Sequence, residues 1–335
     1  MIRAVDLGFG AVKGISEARQ IEFPAAVGTF QPVRFTSGME QQDVKDRLCV
    51  EFEGKRYFIG DIAFKQSSPR VTMNSDRFTS SEGLALMMSA LVLLSNSQAE
   101  AGKLVAGLPV NEYAGLKNKY SDTLTGKHYL QQIDPDGSGN DFFAFTIEEA
   151  KILPQPIGTL FDAVLGDAGE LENKQLAGGR VAVLDIGKHT VDLALTDALQ
   201  FVDRSSVSFN DVGLFDCFKD LCLALKGKGY DIPPDSLEPY IKGGRQLSGM
   251  AELKEQAFAS QAEKITSRVI NTWPDLWSFD RVFITGGGAL VLGDYIVSAL
   301  DKEMVEVCQF PTFTNVKGYF KYAQRAWRQC LLPSD

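Results

Sequence analysis

The chain has 335 residues, with 34 Lys plus Arg against 43 Asp plus Glu, giving a formal net charge of −9. At roughly 150 residues per domain this length predicts about two domains, and 44% apolar with 23% charged residues speaks against a disordered chain. The acidic balance argues against a broad phosphate-tracking surface, while five scattered Cys and only two His, His128 and His189, argue against a disulfide framework or a histidine metal site.

The first element is a short β-type run, residues 2–5, which opens the stretch Asp6-Leu7-Gly8-Phe9-Gly10-Ala11-Val12-Lys13. Asp6 stands where a secretory leader would need its apolar core, so a cytoplasmic location is expected. Between residues 19 and 80 short β-like runs (33–35, 49–52, 56–59) alternate with polar turns and read as a small β-rich insert. Residues 80–94 predict a helix capped by Ser80 or Ser81, whose apolar part is too short to cross a bilayer. A strand over 103–109 ends at Pro109, and a helix follows over 111–120. Pro154, Pro156 and Gly158 punctuate the chain, which places a lobe boundary near 155, before a helix over 159–165.

A second β-type run, 181–184, leads into Asp185-Ile186-Gly187-Lys188-His189-Thr190-Val191-Asp192. It shares the pattern Asp-x-Gly-x-x-x-Val with the first stretch and begins 179 residues later, close to half the chain. Such an internal repeat predicts two related lobes facing each other. The helix over 213–225 carries Leu214, Phe215, Phe218, Leu221 and Leu225 on a core-facing stripe. Residues 229–273 read as the second lobe's insert, with its main helix over 250–270. A buried-type strand, 281–285, runs into Gly286-Gly287-Gly288, and a helix is expected over about 293–303. Alternating strands and helices predict an α/β fold with mixed sheets.

An Asp at the end of a buried strand, followed at once by a Gly turn, directs a carboxylate and free backbone N–H groups into one space. The amides suit phosphate oxygens and the carboxylate can hold the waters of Mg²⁺. Lys13, on the returning strand, could reach the β- and γ-phosphates. Glycines 286–288 would let a flat ligand approach the backbone. These parts predict a nucleotide held in a cleft between the lobes.

On these residues the sequence resembles the actin superfamily. The stretch 6–13 is similar to its first phosphate loop and 185–192 to its second. Residues 284–289 resemble its adenosine motif, and 105–110 its first connecting motif. Val212-Gly213-Leu214-Phe215-Asp216 through Lys228-Gly229-Tyr230 resembles a stretch downstream of the second loop. Phe23-Pro24, the run 57–63, Gly107-Leu108-Pro109-Val110 and residues 314–319 are most similar to the ParM/StbA group of plasmid-segregation actins and its archaeal relatives.

The resemblance implies an actin-like, ribonuclease H-like duplicated two-lobe fold. Lobe I would comprise 1–155 plus 312–335 and lobe II 156–311, with the nucleotide cleft between them. It implies ATP (or GTP) with Mg²⁺ as cofactor, and hydrolysis coupled to assembly of the chain into filaments. It also implies a separate DNA-binding adaptor, no direct DNA binding and no membrane attachment. Asp185 would organise Mg²⁺ through water together with the attacking water, and Asp6 would be its partner across the cleft. Glu112 would position the hydrolytic water, or else is simply a favourable acid in a helix first turn. Gly8, Phe9, Gly10, Lys13, Gly187, Lys188, His189, Thr190, Gly213, Gly286, Gly287 and Gly288 would line the nucleotide.

Lys188 and His189 stand where many relatives carry small residues, so His189 reads as a phosphate contact or as tolerated bulk. A small-molecule kinase of the same fold is the alternative activity, although such kinases are typically longer. An adaptor like FtsA would need an amphipathic C-terminal anchor, and the tail through Trp327, Cys330, Leu331 and Leu332 is short.

Overall fold

The computed structural model describes residues 1–35, 43–69, 75–139, 141–241, 247–300 and 303–328. Cys330 and the rest of the tail, and residues 242–246 of the second insert, lie outside the described residues. The chain divides into two compact units, Met1–Glu172 with Asn315–Asp335, and Asn173–Thr314.

Unit 1 is built on one nine-stranded mixed sheet. Its strands are β1 (Ile2–Leu7), β2 (Ala11–Ser16), β3 (Gln20–Pro24), β4 (Val27–Thr29), β5 (Cys49–Phe52), β6 (Lys55–Ile59), β7 (Ala99–Leu108), β8 (Gly126–Ile133) and β9 (Asp141–Pro154). They run in the order β3-β2-β1-β7-β9-β8-β5-β6-β4. β1 pairs parallel with β7, and β7 parallel with β9. Every residue of β1 is buried, as expected for a central strand covered on both faces.

The strands β4 to β6 do not form a separate sheet. β5 pairs with β8, and β8 with β9, so the β-rich insert continues the main sheet. Residues 33–35 are not a strand. Pro32 precedes them; the Val33 N–H donates to the Pro135 carbonyl at 2.8 Å, and Val33 packs against the small core cluster around Phe58.

Unit 1 also holds α1 (Asp61–Gln66), α2 (Ser81–Leu94), α3 (Val110–Leu124) and α4 (Ile157–Val164). Ser80 caps α2 by accepting from the Gly83 N–H at 3.1 Å. Almost all of α2 is buried, which explains why its sequence is apolar all round rather than striped. Each fully buried Leu or Met of this kind contributes about 1.5–3 kcal/mol, so α2 anchors the core of the unit.

Unit 2 carries β10 (Arg180–Ile186), β11 (Val191–Asp197), β12 (Gln200–Phe201), β13 (Val207–Phe209), β14 (Arg281–Thr285) and β15 (Val305–Val307). The order is β12-β11-β10-β14-β15, with β13 also paired to β11. Its helices are α5 (Lys174–Gly178), α6 (Leu214–Gly227), α7 (Glu238–Ile241), α8 (Met250–Thr272) and α9 (Ala289–Leu300). The stripe expected on α6 is partly realised: Phe218, Leu221 and Leu225 are buried, while Leu214 and Phe215 are half-buried. α9 begins earlier than expected, directly after the glycine triplet.

The last helix, α10 (Thr314–Arg328), runs back along unit 1. There Tyr322 stacks on Phe161 of α4 at 4.9 Å, and Lys321 pairs with Asp162 at 2.8 Å. These contacts hold α4 on the unit 1 side of the division. Trp327 is buried and donates from Nε1 to Glu149 at 2.8 Å. Among the described residues no helix is long and apolar enough to cross a membrane.

Candidate functional site

The two signature turns are built alike. β1 and β2 pair antiparallel, with Asp6 opposite Lys13 and Leu7 opposite Val12. β10 and β11 pair with Asp185 opposite Asp192 and Ile186 opposite Val191. The sequence repeat is therefore a repeat of register, and Lys13 and Asp192 are equivalent positions. The copies differ there in charge. Asp192 is 2% exposed and accepts from the hydroxyls of Ser208 and Thr190. The Thr190 hydroxyl thus points to its own hairpin.

In unit 1, Asp6 ends a fully buried strand and is itself buried. Gln155 Nε2 donates to Asp6 Oδ1 at 2.9 Å, and the Gln155 N–H continues the β7–β9 ladder to the Leu108 carbonyl at 2.8 Å. Burial pushes the Asp6 carboxyl upward, against the pull of Lys13, the Gln155 hydrogen bond and Arg77. Lys13, Gly8, Phe9 and Gly10 are half-buried. The carbonyl of Gly8 accepts from Arg77 Nη2 at 2.8 Å, and that of Gly10 from the Ala25 N–H at 3.1 Å. Glu112 lies in the first turn of α3, its N–H donating to the Pro109 carbonyl. Gln155 is a side chain hydrogen-bonded to Asp6.

In unit 2, Asp185 is 9% exposed at the end of β10. Gly286 has φ +86°, and a side chain there would run into the Asp185 carboxylate and the Ile186 carbonyl. Both the backbone conformation and the approach therefore demand glycine. The Gly288 N–H donates to the Ile186 carbonyl at 2.7 Å, while a Cβ on Gly287 would meet nothing within 4 Å. The triplet thus stitches β14 to the second turn and leaves room beside its middle residue.

The N-terminus of α6 docks on the same turn. Leu214 N–H donates to the Gly187 carbonyl at 3.2 Å and Phe215 N–H to the Lys188 carbonyl at 2.7 Å. Gly213 is needed for this approach, since a Cβ would come within 2.5 Å of the His189 carbonyl carbon. From α8, Gln261 Nε2 donates to the Val212 and Gly213 carbonyls at 2.7 and 3.1 Å.

Lys188 pairs with Asp235 at 2.9 Å. The His189 ring packs on Phe215 at 4.8 Å with its Nε2 buried and unpartnered. Burial, then the Lys188 charge, lowers the His189 pKa to about 4.

Among the described residues no group of three or more His, Cys, Asp or Glu could hold a metal ion. Asp6 and Asp185 each offer a single carboxylate at a strand end, chemistry that suits a magnesium ion held through its waters rather than by direct ligands. A shallow hollow of about 370 Å³ on α6, lined by Leu223, Ile232 and Lys226 among others, includes none of the signature residues. The repeated register makes the turns the better candidate site.

The sequence model described as "Actin like proteins N terminal domain" matches residues 4–158, and "Archaeal actin homologue MreB-like, C-terminal" matches residues 183–298. The chain belongs to the actin-like proteins. No curated protein matches it. Solved structures similar to this actin-like chain include a 15-stranded ParM filament from Clostridium botulinum, with 22% identity, 97% of this chain and 99% of that one covered, and TM-score 0.77. An archaeal actin homologue in complex with ADP covers the same shares at 19% identity and TM-score 0.75. The apo ParM protein of psk41 covers 99% of both chains at 20% identity and TM-score 0.75.

Within this actin-like fold, sequence reasoning missed Arg77, Gln155 and Gln261. Gln155 carried a usable signal, a polar residue between two prolines after a buried run. Arg77 and Gln261 carried none, because each acts on a backbone carbonyl remote in sequence.

Proposed function

We propose that this actin-like chain is an ATPase that polymerises into nucleotide-dependent filaments and moves a DNA cargo through a separate DNA-binding adaptor. The observation that carries the reading is the register-matched pair of Asp-x-Gly turns, each a buried strand ending in a carboxylate beside backbone donors. Support also comes from relatives of the same fold, described as a ParM filament and as an ADP complex.

In this reading each turn offers backbone N–H groups to phosphate oxygens, and Lys13 adds a cation in the first. Asp185 accepts a hydrogen bond from the attacking water and orients it. Gln155, already held on Asp6, presents an amide that can orient a water in unit 1. Gly287 gives the base and ribose room to approach. Bound Mg²⁺ would neutralise phosphate charge. Actin-type subunits associate head to tail, a heterologous contact that propagates rather than closes.

Light scattering and phosphate release on the purified chain test this together. Scattering should rise on adding ATP with Mg²⁺ and fall as ATP is consumed, with GTP run in parallel to settle preference. A chain that stays monomeric with a slowly hydrolysed analogue, yet phosphorylates a sugar or carboxylate, would be a kinase instead.

A further inference from the structure

Gly8 and Gly187 are equivalent positions of the repeat, and the carbonyl of each is held by a donor from outside its hairpin. In unit 2 the donor is the Leu214 N–H at the start of α6, at 3.2 Å. In unit 1 it is the Nη2 of Arg77, at 2.8 Å. A trans peptide points its C=O and N–H in opposite directions. Holding the Gly8 carbonyl therefore fixes the Phe9 N–H on the opposite side, as holding the Gly187 carbonyl fixes that of Lys188. Unit 1 achieves with one side chain what unit 2 achieves with a helix N-terminus.

Arg77 is built into place for this. It is 5% exposed, with its guanidinium 4.4 Å from the Phe9 ring centroid and 5.5 Å from that of Phe78. Its own carbonyl accepts from the hydroxyl of Ser80, the residue that caps α2. Among the described residues the guanidinium makes no ion pair; burial works against its charge, while Tyr120 and then Asp6 support it. A buried cation without a close ion pair is costly, and an anion bound in the adjacent turn would offset that cost.

We propose that Arg77 is the positioning residue of the first turn: it aims the Phe9 N–H at phosphate oxygens and makes the turn favour the more highly charged phosphate chain. This rests on the nucleotide reading above. It differs from the role of Lys13, a half-buried cation on the returning strand, because Arg77 acts through the Gly8–Phe9 peptide and from beneath it.

The test is equilibrium binding of a slowly hydrolysed ATP analogue, ADP and AMP to wild type, Arg77→Met and Arg77→Lys, with thermal melts alongside. Arg77→Met should weaken the triphosphate by about tenfold or more and AMP by about threefold or less. Arg77→Lys keeps the charge but not the planar fork. It should weaken all three ligands by a few fold while preserving most of the triphosphate preference. Equal weakening of all three by Arg77→Met, or no change in any, would overturn the proposal. Should Arg77→Met fail to fold, Arg77→Lys decides, since wild-type binding by that variant overturns the orienting role. A wild-type chain that binds none of the three would instead sink the nucleotide reading itself.

Discussion

Asp185 is buried at a strand end and lies against a glycine that cannot be replaced without displacing it. Removing its carboxylate deletes the group proposed to orient water while leaving the turn amides in place. Asp185→Ala should therefore keep measurable nucleotide binding and lose hydrolysis by on the order of a hundredfold or more, read as phosphate release at saturating ATP. His189 has a pKa lowered to about 4, against about 6.5 in an unfolded chain. Between those values the unfolded state binds more protons, so this residue's contribution is fully present above about pH 6.5 and is lost as pH falls toward 4. Lys188 and Lys219 press in the same direction as burial, and Asp235 and Asp216 oppose it. His189→Gln should show a smaller drop in melting temperature between pH 7.5 and pH 5 than wild type does.

Gln261 shows how one helix fixes another. It reaches from α8 to two carbonyls immediately before α6, and α6 in turn holds the second turn through Leu214 and Phe215. Gln261→Leu keeps approximate volume but takes the Nε2 donor from both carbonyls, leaving the Gly213 carbonyl its bond from the Asp216 N–H and the Val212 carbonyl without that partner. The expected loss is about 1–3 kcal/mol of stability, measured by denaturant unfolding, with weaker nucleotide binding as a second sign. At this scale the sequence was legible where a pattern is local. Asp-x-Gly after a β run located both hairpins, and Ser80 before an apolar stretch located the cap of α2. The strand expected over 33–35 failed because β pairing depends on a partner that no local pattern reveals. The contacts of Arg77 and Gln261 were illegible for the same reason, since both bonds join residues about 50 to 70 positions apart.

At the scale of the whole molecule the formal charge of −9 would multiply with each subunit added to a filament, and bare DNA should be repelled. A gel-shift titration at low salt, with and without nucleotide, should show no complex with the chain alone. Tight, salt-sensitive binding would call for a filament that grips DNA directly.

Unit 1's sheet has a mechanical meaning. A lobe with its own separate insert can flex where the two join, because a connecting loop is where backbone rotation costs little. Here β9 runs for 14 residues and is bonded to β7 on one side and to β8 on the other, so among the described residues continuous ladders join insert to body. β3 ends at Pro24 and β4 begins at Val27, so the two strands that end the sheet's pairing order are also joined directly by two residues of chain. Strain entering at either edge of the sheet is therefore shared between that short link and the hydrogen-bonded ladders, and no single hinge within the sheet has to absorb it.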